Sequence, residues 1–138
     1  MRLSNEDMKK VDIILLLAFP IFATFISLFL KTNLFTSTLL FFGLPAVYLS
    51  LRTKQAVLRV AIFTLLTVPT FGLLMDYVGF LNHAWYTIDT IFPFRLFGGV
   101  PVENPLWAIL WAYSILIFYE HFLDKGKHKL INKRMTYL

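Results

Sequence analysis

The sequence contains no cysteine and only three histidines, and each shortage excludes a class of chemistry. Without cysteine, this chain of 138 residues has no disulfide, no thiolate metal site and no cysteine nucleophile. The histidines are spread along the chain at His83, His121 and His128, so a histidine-rich metal cluster is not expected. The sequence therefore points away from metalloenzyme and thiol chemistry, and we expect no cofactor and no metal ion.

Charged residues are scarce as well, and the composition is that of a membrane protein. They make up 15% of the chain, whereas hydrophobic residues make up 58% and the mean hydropathy is +0.69. A soluble domain has roughly 25% charged residues. The net charge is +5, but the basic residues lie at the chain ends and in one short connection rather than along an aromatic face. We therefore expect no nucleic-acid partner.

Four apolar stretches are each long enough to cross a bilayer as a helix, which takes about 20 mostly apolar residues. They cover about residues 11–30, 34–51, 56–78 and 101–123. The first stretch is longer than the apolar core of a signal peptide, so we expect it to be retained. Because the connections at 31–33 and 52–55 are very short, neighbouring helices run antiparallel. We predict an all-α fold: one integral membrane bundle of four transmembrane helices over residues 1–138, with a basic tail at 124–138.

Lysine and arginine are distributed unevenly between the two sides of this predicted bundle. The side that carries both termini holds eleven of them: Arg2, Lys9, Lys10, Arg52, Lys54, Arg59, Lys125, Lys127, Lys129, Lys133 and Arg134. The other side holds Lys31 and Arg95. The positive-inside rule then predicts that both termini are cytoplasmic and that the protein lies in the cytoplasmic membrane. The basic tail is expected to bind anionic membrane lipid.

The third connection, about residues 79–100, is where we expect a functional site, because loops longer than about 12–15 residues are usually functional. Ionisable groups near the spans are the other candidates, since a charge at the bilayer centre costs at least ~2.5–3.5 kcal/mol. Five of the eight acids are expected to lie in water on the side of the termini: Glu6, Asp7, Asp12, Glu120 and Asp124. Three remain near the long connection: Asp76, Asp89 and Glu103.

Asp76 is the first candidate catalytic residue. It lies near the end of the third span, where a carboxylate opposes the helix dipole and so has no favourable helix-end role. The alternative is an interfacial carboxylate paired with Arg95 or His83.

Glu103 is the second candidate. At the start of the fourth span a glutamate is favoured by the helix dipole and needs no catalytic role. A spacing of four, however, places Trp107 and Trp111 on its face of the helix. Desolvation beside indole rings favours a protonated carboxyl group, which can deliver its proton to a substrate.

Aromatic side chains are frequent in the long connection and include Trp85, Tyr86 and Phe97. They have two interpretations. One is an interfacial aromatic belt or lid. The other is a lining that stabilises a carbocation by cation–π attraction, worth ~2 kcal/mol or more per desolvated contact. Beside a proton donor, the second interpretation predicts acid-initiated alkene chemistry on a lipid-soluble substrate.

The pattern of Asp76, Trp85, Gly98, Pro101 and Glu103 resembles the signature of the membrane-embedded lycopene cyclase domain. In that family an aspartate closes one helix, a tryptophan follows in the loop, and a Pro-x-Glu motif opens the next helix. The resemblance covers about residues 75–118. It implies a half-unit enzyme that cyclises the ends of linear carotenoids without redox change, with Glu103 as the acid of the motif and Asp76 as its partner carboxylate.

The resulting hypothesis is a cyclase that acts on a lipophilic isoprenoid. Glu103 protonates a terminal double bond, the cation closes into a ring, and Asp76 or another base removes a proton. The residues expected to contact the substrate are Trp85, Tyr86, Phe97, Pro101, Asn104, Trp107 and Trp111. Four helices cannot enclose a carotenoid, so we expect a homodimer or a homologous second subunit.

One departure from the family pattern leaves alternatives open. The family usually has a second acid directly after this glutamate, whereas this chain has Asn104. The chain is then either a non-catalytic partner subunit or a relative that acts on another isoprenoid or catalyses a hydration.

An assembly subunit, in which Asp76, Arg95 and Glu103 form a buried polar cluster, is a further alternative. A small transporter is disfavoured, because such proteins of four spans need a carboxylate in the middle of their first span and residues 13–30 contain none.

Overall fold

A computed structural model of the chain describes residues 5–85 and 90–124, with side chains from Asp7 onward, as four long helices packed side by side. Helix α1 covers Asn5–Leu30. The second helical segment, Leu34–Arg52, consists of α2 (Leu34–Thr38), a π-helical turn over Leu39–Gly43, and α3 (Leu44–Arg52). The last two long helices are α4 (Lys54–Leu81) and α5 (Glu103–Tyr119), the latter extended by a π-helical turn over Glu120–Asp124.

The prediction of an all-α fold with four long apolar helices is confirmed. All four helical segments are long and apolar enough to cross a membrane, judged by length and composition. Two of them extend well beyond the apolar stretches: α1 begins at Asn5 rather than at residue 11, and α4 continues to Leu81 rather than to 78. The fourth begins at Glu103, two residues after the predicted start at 101. The difference arises because hydropathy marks only the part of a helix that suits hydrocarbon, whereas backbone hydrogen bonding continues into polar residues.

The long connection contains a small hairpin. Strands β1 (Arg95–Leu96) and β2 (Val100–Pro101) pair antiparallel, with Leu96 opposite Val100. The turn between them needs a left-handed backbone at Phe97 (φ 50°) and at Gly98 (φ 75°). Glycine adopts this conformation without steric cost. The hairpin ends directly before α5 and so fixes where that helix begins.

The bundle has a thin core and an apolar exterior. Leu49, Val60 and Ile117 are fully or almost fully buried, whereas phenylalanines such as Phe29 and Phe25 are 88% and 70% exposed. Such a continuous apolar exterior is rare on soluble monomers and is expected where lipid surrounds the helices. The most extensive helix pair is α4 with α5. We call the end of the bundle that carries residues 82–85 and 90–102 the loop end, and the opposite end, where α1 begins, the terminus end.

Candidate functional site

Asp76 lies at the loop end of α4 and is held by two neutral side chains. The carboxamide of Asn104, in the first turn of α5, and the indole of Trp85, which follows α4, are both hydrogen-bond partners of its carboxyl group. An indole nitrogen can only donate, and an amide nitrogen donates to a carboxylate. Residues that are far apart in the chain thus meet at one carboxyl group.

A small cavity of about 10 Å³ adjoins this group. Its lining residues come from α4, the hairpin and the start of α5: Asp76, Phe80, Trp85, Gly99, Val100, Pro101 and Asn104. This volume is about enough for a single water molecule. The cavity as it stands therefore has no room for the end of a polyene.

Two glycines make this close packing possible. A Cβ atom on Gly79 would overlap the indole ring of Trp85, and one on Gly99 would overlap the phenyl ring of Phe80. Only glycine permits such an approach of a ring to the backbone without displacement. The rings are thereby held against the cavity.

Glu103 has a different environment. The residue is 3% exposed, and its Oε1 accepts hydrogen bonds from the backbone N–H groups of Ile91 (2.7 Å) and Phe92 (3.0 Å). Its Oε2 is buried and has no hydrogen-bond partner within residues 5–85 and 90–124. Glu103 thus anchors the long connection to the start of α5 through one oxygen and leaves the other unengaged.

The two predicted catalytic residues are not joined by the small cavity, because Glu103 is not among its lining residues. Neighbouring residues on a helix point about 100° apart around its axis. In the first turn of α5, Asn104 is directed to Asp76, and Glu103 is directed to the backbone of Ile91 and Phe92. The asparagine therefore occupies the position opposite Asp76.

The predicted aromatic stripe on α5 faces the second helical segment. Trp107 and Trp111 stack with nearly parallel rings, 6.1 Å between centroids, and the ring of Phe42 meets Trp107 edge-on at 6.1 Å. Trp111 also lines a lateral groove that includes Phe118. The two tryptophans share one face of α5, as their spacing predicts. Neither of them lines the cavity beside Asp76.

The remaining predicted substrate contacts lie around the hairpin. Pro101 and Trp85 line the small cavity. Phe97 is largely exposed at the hairpin turn, with its ring 5.3 Å from that of Tyr77. Tyr86 lies outside the described residues.

A second group of polar side chains, which sequence reasoning missed, lies at the terminus end. Asp12 is 1% exposed, and its carboxylate accepts hydrogen bonds from Tyr48 (2.5 Å) and from the Nη2 and Nε atoms of Arg52 (3.1 and 3.3 Å). Nε2 of His121 lies 2.8 Å from Oδ2 of Asp12, and Nδ1 lies 2.8 Å from the hydroxyl of Thr53. This arrangement connects α1, α3 and the end of the fourth helical segment.

A partly buried arginine extends the group to α4. Arg59 forms an ion pair with Glu120 and lies 3.7 Å from Asp124. We call the whole set the terminus-end cluster: Asp12, Tyr48, Arg52, Thr53, Arg59, Glu120, His121 and Asp124. All four long helices contribute to it. We expect these paired charges to favour one arrangement of the helices over others.

The expectation that water surrounds the acids at this end is wrong for Asp12, Glu120 and Asp124. They are 1%, 9% and 4% exposed, because neighbouring helices cover them and basic side chains neutralise them. A signal was present in the sequence. The short connections place Arg52 and Arg59 at the same level of the bundle as these acids.

Comparison of the chain with models of protein families, with curated proteins and with solved structures finds no match. Within the described residues, the two polar sites, one at each end of the bundle, are the candidates for function. The terminus-end cluster pairs its acids with basic side chains, as a structural element does. The loop end contains two acids: Asp76, which lies beside the neutral side chains of Asn104 and Trp85, and Glu103, which accepts two backbone N–H groups through one oxygen and has its other oxygen buried.

Proposed function

We propose that the protein is an integral membrane protein whose four long helices cross the cytoplasmic membrane, with both termini on the cytoplasmic side. The apolar exterior of the bundle supports insertion, and the excess of lysine and arginine at the terminus end supports the orientation. The absence of cysteine allows a clean test. A thiol-specific, membrane-impermeant label should modify Asn33→Cys in intact cells, and should modify Gln55→Cys only after permeabilisation.

We further propose that the chain is a half-unit of an isoprenoid end-group cyclase similar to lycopene cyclases. One observation carries this proposal. Asp76, Trp85 and Pro101 belong to the resembled signature, lie far apart in the chain, and line one cavity at the loop end. The second acid of that signature, Glu103, lies at the adjacent start of α5 as a buried carboxyl group.

The proposed reaction is an isomerisation in which one proton enters and one leaves. The carboxylic acid of Glu103 protonates the terminal double bond of a linear polyene through Oε2, the oxygen that is not engaged by the backbone. The resulting tertiary carbocation is attacked by a neighbouring double bond, which forms the ring bond and moves the positive charge. Asp76 then removes a proton from the adjacent carbon, and a ring double bond forms. No electrons are gained or lost, so no redox cofactor is needed.

The substrate is expected to bind with help from a second subunit, either another copy of this chain or a homologous half-unit. A cavity of about 10 Å³ is far below the roughly 300–1,000 Å³ of ligand sites. A lateral groove of about 800 Å³ between the second helical segment, α4 and α5 is almost wholly apolar and suits a lipophilic chain. The lipophilic substrate and the lipid are thus expected to reach the bundle from its side.

Product analysis in a lycopene-producing host tests this function. The native chain, expressed with and without candidate partner subunits, should convert lycopene to a product of altered colour and chromatographic mobility. Glu103→Gln and Asp76→Asn should each lower the rate by about 10²–10⁴, the usual contribution of general acid–base catalysis. Asp7→Asn, a change of an exposed acid in α1, is the matched control and should leave the rate unchanged. Cyclisation by Glu103→Gln at the parent rate would exclude the assignment.

A non-catalytic assembly subunit is the second candidate function. It is favoured by the anchoring of the long connection through Glu103, by the nearby charge of Arg95, and by Asn104 at the position of the family's second acid. No pigment change with any partner, together with stable co-purification of a partner subunit, would support this role over the enzyme.

A further inference from the structure

A further lateral groove, of about 440 Å³, runs between α4 and α5 from the terminus-end cluster toward the middle of the bundle. Its apolar lining residues come from both helices: Val60, Ile62, Phe63, Leu66 and Leu116. Three polar lining residues lie together at the terminus end: Arg59, Tyr119 and Glu120. Leu66 lies about 10 Å beyond Arg59 along α4, at 1.5 Å per residue. The groove is therefore amphipathic along its length.

The polar end of this groove lies at the depth of lipid headgroups when α4 crosses a bilayer. Helix α4 has 28 residues and is thus about 42 Å long, whereas the hydrocarbon core is about 30 Å thick. A centred helix therefore extends about 6 Å beyond the hydrocarbon at each end. Arg59 is the sixth residue of α4, about 7.5 Å from its start. An amphiphile in this leaflet fits the groove with its headgroup beside Arg59 and its chain along the apolar lining.

The charged residues at the polar end have opposite signs. Arg59 forms an ion pair with Glu120 through Nη2, which also lies 3.7 Å from Asp124. Its Nε is buried and has no hydrogen-bond partner in the part of the chain that the structure describes. A guanidinium has five N–H donors and a carboxylate about four acceptor sites, so this ion pair leaves both groups with unused capacity. Glu120 repels a headgroup of net negative charge, whereas a headgroup with a phosphate and an ammonium group complements both residues.

We propose that this groove binds one molecule of phosphatidylethanolamine, a zwitterionic aminophospholipid, from the leaflet at the terminus end. The phosphate accepts hydrogen bonds from the guanidinium of Arg59, the ammonium group donates to the carboxylate of Glu120, and one acyl chain lies between α4 and α5. A choline headgroup has no N–H group and cannot donate to Glu120. The inference rests on the proposed membrane insertion and does not depend on the cyclase reaction.

Native mass spectrometry of the full chain tests the site. The chain is reconstituted in vesicles of equal parts phosphatidylethanolamine, phosphatidylcholine and phosphatidylglycerol, extracted in mild detergent and analysed for retained lipid. We expect one phosphatidylethanolamine per chain, retained about 10-fold over phosphatidylcholine, which corresponds to one hydrogen bond to a charged group. Equal retention of the three lipids, a preference for phosphatidylglycerol, or a dimer without bound lipid would overturn the inference.

Variants at the two ends of the groove make the test specific. Glu120→Gln removes the negative charge and should shift retention toward phosphatidylglycerol, because Arg59 then favours a headgroup of net negative charge. Ile62→Trp fills the apolar part of the groove and should lower retention of phosphatidylethanolamine. Leu58→Trp, at an exposed position of α4 outside the groove, is the matched control and should retain it. Unchanged lipid preference in Glu120→Gln, or equal retention by the two tryptophan variants, would contradict the proposed site.

Two further measurements keep the outcome interpretable. Helix content from circular dichroism verifies that each variant is folded. Vesicle flotation separates this inference from the proposed membrane insertion. A chain that does not float with the vesicles excludes insertion, whereas a chain that floats but retains no phosphatidylethanolamine excludes the lipid site alone.

Discussion

Removal of the carboxylate at the centre of the terminus-end cluster should destabilise the bundle strongly. Asp12→Leu leaves Arg52, Tyr48 and His121 without their common acceptor. Breaking one side of a buried ion pair costs about 3–5 kcal/mol. The side chain of Arg52 is 35% exposed, so water relieves part of this cost. We therefore expect Asp12→Leu to lower the free energy of unfolding by about 3 kcal/mol, at the lower end of that range.

The measurement is reversible unfolding in mixed micelles, followed by tryptophan fluorescence, since the chain has three tryptophans. A double variant, Asp12→Leu/Arg52→Met, replaces both partners by apolar side chains and should recover most of the lost free energy. Asp7→Leu is the control, because its ion pair with Lys10 (3.9 Å) is exposed and should contribute at most about 0.5 kcal/mol.

Two results would refute the reasoning about the cluster. If Asp12→Leu lowered the free energy of unfolding by less than about 0.5 kcal/mol, the buried pairing would stabilise the bundle no more than an exposed ion pair does. A double variant as unstable as the single variant would mean that the cost comes from the shape of the side chain and not from an unpaired charge.

Further predictions concern the loop end. Gly79→Ala should displace the ring of Trp85 and cost about 1–3 kcal/mol, as overpacking does, and the tryptophan emission spectrum should shift; an unchanged spectrum would contradict the close packing. Glu103→Ala removes the acceptor for the N–H groups of Ile91 and Phe92, so limited proteolysis should cut the long connection faster than in the native chain. Glu103→Gln keeps an oxygen at that position and should resist proteolysis as the native chain does.

Much of the fold could be predicted from composition and the lengths of the apolar stretches. About 20 apolar residues in a row form a helix in lipid, because every backbone group must find its partner within the segment. The pairing of Trp107 with Trp111 also follows from sequence, since a spacing of four brings side chains onto one face of a single helix. These are properties of one chain segment considered by itself.

The chemistry at both ends was decided by how the helices pack. A shift of one residue around α5 places Asn104, and not Glu103, against Asp76. The burial of Asp12 depends on side chains that lie 36 to 109 positions away. Periodicity determines the faces of each helix, but the rotation of a helix against its neighbours is set by the interlocking of side chains from different segments, which the sequence alone does not specify.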